Sequence, residues 1–216
     1  MIALNRSAKI PSKIKAAANV LLAIVLVVSV FADAPLVWWR FALANKPGAL
    51  DSIIHGSLPL FWCDFVAFIL AGALVLKNQR LAELGYLWGL SGSIQSLITP
   101  ELLYNWDSPE YYVFFGEHCG IPIAALAVVF GMGLIPQRGA FLRAAQLGWI
   151  YLINIMILNY CLNANYSFLN WKPKGDNLFN YMGPWPWYVI TLQVLMAIVF
   201  GLLLLPFRKK LRMEKC

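Results

Sequence analysis

Charge is scarce in this chain: only 12% of its 216 residues are Asp, Glu, Lys or Arg, while 61% are hydrophobic. An average soluble domain has about 25% charged and ~45–50% apolar residues, so water is excluded as the main solvent. Two histidines are too few for a convincing metal centre, and the four cysteines (Cys63, Cys119, Cys161, Cys216) form no C-x-x-C pair and no zinc spacing. Internal repeats and low-complexity tracts are lacking, which excludes solenoids and gives no sign of an inverted-repeat transporter. A net charge of +7 suggests nucleic acid at first sight, but the basic residues sit in short loops and tails rather than on a folded face, so no nucleic-acid partner is expected.

What the chain does have is long apolar runs. A bilayer core takes about 20 mostly apolar residues per helix, and six stretches meet that need: residues 16–39, 58–76, 81–99, 112–134, 141–163 and 185–207. The expected fold is all-α, a polytopic bundle of about six transmembrane helices, as one domain over residues 16–207. Basic tails at 1–15 and 208–216 flank it. Thirteen of the 17 Lys and Arg fall on one side, in the tails and in the Lys77/Arg80 and Arg138/Arg143 turns. The opposite loop at 100–111 holds Glu101, Asp107 and Glu110 and no basic residue. The positive-inside rule then places both termini in the cytoplasm of a cell-membrane protein. Ala32-Asp33-Ala34 after a basic start and a short apolar run imitates a secretory cleavage site. Pro35 would follow the cut directly and the apolar run continues through Trp38 and Trp39, so an uncleaved first span is the better reading.

Small residues at Gly85, Gly89, Ser91, Gly92 and Ser93 mark the third span as one its neighbours approach closely. Trp38, Trp39, Trp106, Tyr111, Tyr112, Trp171, Trp185 and Trp187 collect near the outer boundary, as an interfacial belt would.

Polar side chains inside a bilayer are costly and tend to face a cavity. Here they gather toward the outer ends of four spans: Cys63 in the second, Gln95 in the third, His118 in the fourth, and Asn159, Asn163 and Asn165 at the end of the fifth. Counted from the expected span starts, Cys63 lies about 7–8 Å deep and His118 about 9 Å, at ~1.5 Å per residue. Amphipathic groups settle ~5–10 Å into that boundary, the level of phospholipid ester carbonyls. A cavity in the outer leaflet is implied. A thiol nucleophile with a histidine base and amide donors for an oxyanion is the set that acyl transfer requires. The plainer readings stand beside it: a lone intramembrane cysteine is commonly a small packing residue, and Gln95 and the asparagines serve equally as interhelical hydrogen-bond bridges. Asp64 points about 100° away from its neighbour Cys63 on a helix and is expected to pair with another helix, and Glu117 is similarly turned away from His118. Asp33 with Arg40 reads as an interfacial ion pair, His55 as a solvated loop residue, and Cys119 with Cys161 as a disulfide or as two small buried residues.

Five motifs together resemble a known family: residues 58–64 (LPLFWCD), 89–100 (GLSGSIQSLITP), 114–118 (FFGEH), 163–169 (NANYSFL), and Lys172-Pro173 with 183–188 (GPWPWY). In this order they are similar to the YwaF-type integral membrane proteins and to the related eukaryotic transmembrane protein 164. The resemblance implies an acyltransferase that moves a fatty acyl chain from a phospholipid onto an ether lysophospholipid. It implies Cys63, from the Leu-Pro-x-x-x-Cys motif, as acyl carrier and His118 as proton acceptor. Two departures stand out: Phe61 occupies the place where the family pattern has histidine, and an additional N-terminal span is lacking. The expected function is thus a cysteine-dependent acyltransferase or lipase-like enzyme on phospholipid and lysophospholipid. No cofactor is expected, since the acyl donor is itself an ester. The other reading is a non-catalytic lipid or small-molecule binder or transporter using the same cavity.

Overall fold

The computed structural model describes residues 11–100, 102, 104–175 and 177–208; most of both expected basic tails, Glu101 and Cys216 lie outside the described residues. Among the described residues there are helices and turns and no strands. Helix α1 spans Ser12–Leu43, α2 Ala49–Gly56, α3 Trp62–Leu76 and α4 Gln79–Trp88. A π turn, Gly89–Ser93, joins α4 to α5, Ile94–Ile98. Helix α6 covers Pro109–Leu126 and runs on into a second π turn, Ala127–Gly131. Helices α7, Ala140–Leu162, and α8, Trp187–Leu204, complete the bundle.

The chain's punctuation explains these limits. Asn78 caps α4, its side-chain oxygen accepting from Arg80 N at 2.9 Å and Leu81 N at 3.1 Å. Pro109 opens α6, where its missing N–H costs no helical bond. Gly139, at φ +80°, turns the chain into α7, and Asn163, at φ +52°, ends it.

Helix α1 packs against α3 and α6, α3 also against α4 and α6, and α7 against α4 and α8. The interior is narrow and built from small side chains, among them Ala67, Ala71, Ala73, Ala82, Ala124 and Ala125. A Cβ added at Gly85 would lie 2.4 Å from Leu70, and one at Gly89 would lie 2.9 Å from Ile121. The third span is thus closely approached on several sides, as its composition suggests. Outside, Leu21, Ile24, Val28, Ile153, Ile157, Val194, Ile198 and Leu202 stand exposed. A bilayer covers such a surface.

Four helices are long and apolar enough to cross a membrane by themselves: Ser12–Leu43, Pro109–Gly131, Ala140–Leu162 and Trp187–Phe207. The other two expected spans differ from their sequence outline. Residues 58–61 are a turn, so α3 has only 15 residues, or about 22 Å against a hydrocarbon core of ~30 Å. Residues 79–98 form two α-helical pieces joined by the π turn. Helix α1 starts at Ser12, which puts Lys13 and Lys15 on its first turn rather than in a tail.

Contacts define the two ends of the bundle. At one end, Arg40 of α1 grips Glu110 of α6, with Nη2 2.7 Å from Oε2, and lies 4.2 Å over the Tyr104 ring. This corrects the expected Asp33–Arg40 pair, which lies two turns apart on α1. Trp38, Trp39, Trp106, Tyr112, Trp171, Trp185 and Trp187 are exposed around the same end. His55 lies on the short helix α2, where its Nδ1 contacts the Asp51 carbonyl at 2.7 Å. At the opposite end, Glu83 is 2% exposed and meets Arg143 at 2.6 Å and Arg80 at 3.3 Å. Glu83 also accepts the Gln137 main-chain N–H at 3.0 Å, tying α4 to the start of α7. Cys119 and Cys161 are free thiols and form no disulfide; Cys161 is exposed rather than buried.

Candidate functional site

The polar residues converge where α3 begins. The turn at 58–61 is strapped from the other side of the bundle: Tyr151 donates its hydroxyl to the Leu60 carbonyl at 2.9 Å and lies 2.6 Å from Ser167 Oγ. Ser167 in turn accepts the Trp62 N–H at 2.9 Å. Tyr166 accepts the Leu58 N–H at 3.2 Å and donates to the Ile54 carbonyl at 2.7 Å; burial pushes its phenol above the ordinary range, which keeps the donor proton in place. Asp64 closes the turn, its Oδ2 accepting the Phe61 N–H at 2.7 Å.

Cys63 is therefore the second residue of α3, not one buried a turn and a half along it. Among the described residues the main-chain N–H groups of Cys63 and Asp64 have no acceptor, as expected of a first helical turn. The thiol turns inward, with Sγ 3.5 Å from Ser93 Oγ and Ser96 beside it. Ser93 is the last residue of the π turn, and the extra residue in that turn is what swings its hydroxyl toward α3. π turns recur at functional sites because they re-aim a side chain inside a helix.

His118 lies on α6, nine residues after Pro109. Its Nδ1 donates to the Phe114 carbonyl at 2.9 Å, and its ring stacks on Phe114 at 4.1 Å between centroids. A carbonyl only accepts, so Nδ1 carries the proton and Nε2 keeps its lone pair. Two carboxyls lie near both the histidine and the thiol: Asp64 faces Glu117 across the α3–α6 contact, with Asp33 of α1 close by. Asp64 thus does meet another helix. No hydrogen bond joins Cys63 to His118; the partner of the thiol is Ser93.

The amide side chains are engaged elsewhere. Asn159, fully buried, clasps the Tyr166 main chain: its Nδ2 donates to Tyr166 O at 3.0 Å and its Oδ1 accepts from Tyr166 N at 2.7 Å. Asn165 bonds the main chain of Asn170 and Trp171, and Asn163 supplies the left-handed turn that ends α7. Gln95 donates to Thr99 Oγ1, one turn away on its own helix, at 2.7 Å. These residues shape the roof over α3 more than they line a cavity. Replacing Asn159 by leucine strands both main-chain groups of Tyr166, each loss being ~1–3 kcal/mol. A lowered thermal midpoint in detergent, relative to wild type, is the expected result.

Phe61, where the family pattern has histidine, packs edge-on against Tyr166 at 5.1 Å and offers no proton path. A groove of about 480 Å³ runs between α3, α4 and α7, walled by Phe65, Ile69, Trp88, Tyr151 and Ile155. A smaller one of about 310 Å³ lies at the α1–α2 corner. Neither is lined by Cys63 or His118. Sequence reasoning missed Ser93, Tyr151 and Ser167. Of these only the Gly-Leu-Ser-Gly-Ser run carried a signal, as a helix stretch too rich in small residues to stay regular.

No curated protein and no solved structure matches the chain. The sequence pattern of the TMEM164 family, in contrast, matches residues 2–204. That stretch takes in the described helices from α1 through α8, with the Cys63 turn and the His118 face between them, and the chain belongs to the TMEM164 family.

Proposed function

We propose that the protein is a membrane-embedded thiol acyltransferase, or lipase-like enzyme, that acts on phospholipid acyl esters in the outer leaflet of the cell membrane. Both termini then lie in the cytoplasm, since Lys13, Lys15, Lys77, Arg80, Arg138, Arg143 and Arg208 share one end of the bundle. The observation that carries the reading is the position of Cys63 in the first turn of α3. There, the unpaired main-chain N–H groups of the first helical turn are placed to receive an oxyanion.

In the first half-reaction the Cys63 thiol gives up its proton and Sγ attacks the ester carbonyl carbon. The Ser93 hydroxyl, 3.5 Å from Sγ, is the thiol's own hydrogen-bond partner, and His118, whose Nε2 keeps its lone pair, is the base that finally holds the proton. The main-chain N–H groups of Cys63 and Asp64 stabilise the tetrahedral oxyanion. The C–O bond then breaks, the lysophospholipid leaves with the proton held by His118, and the acyl group stays on sulfur as a thioester. In the second half-reaction an acceptor hydroxyl loses its proton to His118 and attacks the thioester. The thiol is restored as the new ester departs; with water as acceptor the same steps make the protein a lipase. Asn159, Asn163 and Asn165 act here by holding the loop that roofs α3, and Gln95 by fixing the α5 turn beside Ser96.

The test is reconstitution in vesicles with acyl-labelled phospholipid and an unlabelled ether lysophospholipid. Label appearing in the acceptor, or as free fatty acid, supports the reading. Lipids left unchanged by folded protein contradict it. They would favour the alternative that the bundle binds or moves a lipid or small solute, to which the apolar α3–α4–α7 groove, lacking both Cys63 and His118, lends support.

A further inference from the structure

The mechanism above leaves two carboxyls unused, and they are the least expected groups in the membrane interior. Asp64 is 8% exposed and Glu117 6% exposed, and they face each other where α3 packs on α6. Glu117 Oε1 is buried with no partner among the described residues. Among the described residues no ion pair holds either carboxyl: Arg40 is taken by Glu110 at one end of the bundle, and Arg80 and Arg143 meet Glu83 at the other. Nor do the described residues form a cluster able to hold a metal ion. Two ionised carboxylates are acceptors only and cannot bond each other, while one protonated carboxyl and one carboxylate make a short, charge-assisted hydrogen bond.

We propose that Asp64 and Glu117 form a proton-binding site, in which two buried carboxyls from facing helices share one exchangeable proton beside the thiol. The groups that face it are Asp33 from α1, Cys63 and Asp64 from α3, and His118 from α6 itself. His118, when it takes the proton of the reacting thiol, becomes a cation next to the pair and favours the negative charge the pair carries. The pair therefore steadies the imidazolium while the thioester forms and stores a proton inside a dry bundle. Its ligand chemistry is the proton alone. This catalytic part rests on the function proposed above, whereas the shared proton does not.

Infrared spectroscopy of the full chain in nanodiscs tests the site without any assay of activity. At neutral pH the wild type shows the carbonyl stretch of a protonated carboxylic acid, which moves in D2O. Glu117→Gln and Asp64→Asn each remove or shift that band, because a shared proton feels both partners, while Cys63→Ser leaves it in place. Both substitutions keep size and hydrogen-bonding capacity, and the wild-type spectrum stands even should a variant misfold. Absence of the band from wild type, or its persistence unchanged in either carboxyl variant, overturns the proposal. A band with no acyl transfer retains the proton site and removes the enzyme; transfer with no band does the reverse.

Discussion

Cys63→Ser lowers acyl transfer to the background of empty vesicles while the folded fraction stays at the wild-type level. The two halves of this expectation have separate physical grounds. The thiol makes only a long contact, 3.5 Å to Ser93 Oγ, and a serine hydroxyl fills the same space, so packing at the start of α3 is preserved. A buried serine hydroxyl, by contrast, is a far weaker nucleophile than a cysteine sulfur whose proton a base takes up. His118→Ala leaves the nucleophile but removes the proton acceptor, an effect of ~10²–10⁴-fold on rate, with transfer still detectable. The order of the two variants matters: transfer by Cys63→Ser at or above that of His118→Ala would show that sulfur does not carry the acyl group.

A second large effect, on stability, is expected far from the thiol. Glu83→Ala leaves the Gln137 N–H unmet and deprives Arg143 and Arg80, 31% and 56% exposed, of their acid, a loss of ~1–3 kcal/mol. Thermal unfolding in detergent should show the loss, together with faster proteolysis of the 132–139 turn that Glu83 anchors. Glu83→Gln keeps an acceptor for the Gln137 N–H and should lose less. Removing Arg143 as well, as Glu83→Leu with Arg143→Leu, should recover part of the stability, because no lone charge then remains buried. An alanine variant as stable as wild type would mean that water already reaches this cluster.

Much of the architecture was legible in the sequence because hydrophobic length is a strong signal. Helices α1, α6, α7 and α8 lie close to their expected limits. The close approach around Gly85 and Gly89 was equally readable, since small residues in a span have few other uses. Helix α3 shows where that signal fails. Leu58, Leu60 and Phe61 are apolar enough to continue a span, yet they form a turn whose carbonyls and N–H groups are met by Tyr151, Tyr166 and Asp64. Hydropathy counts side chains and is blind to such main-chain partners, so the depth assigned to Cys63 missed that it opens a helix. Glu83 was passed over for a related reason: in sequence it is one acid near a basic turn, and only folding brings Arg143, 60 residues later, against it. The asparagines were noticed for their polarity, but polarity does not reveal whether an amide faces a cavity or, like Asn159, holds a loop.

The central claim is that Cys63 carries an acyl group, and intact-protein mass spectrometry of the chain purified in phospholipid nanodiscs tests it most directly. The account predicts a fatty acyl mass on wild type that hydroxylamine removes and that Cys63→Ser never acquires. A folded wild type that shows no adduct even with a slow or trapped donor ester, or an adduct that survives in Cys63→Ser, would contradict it.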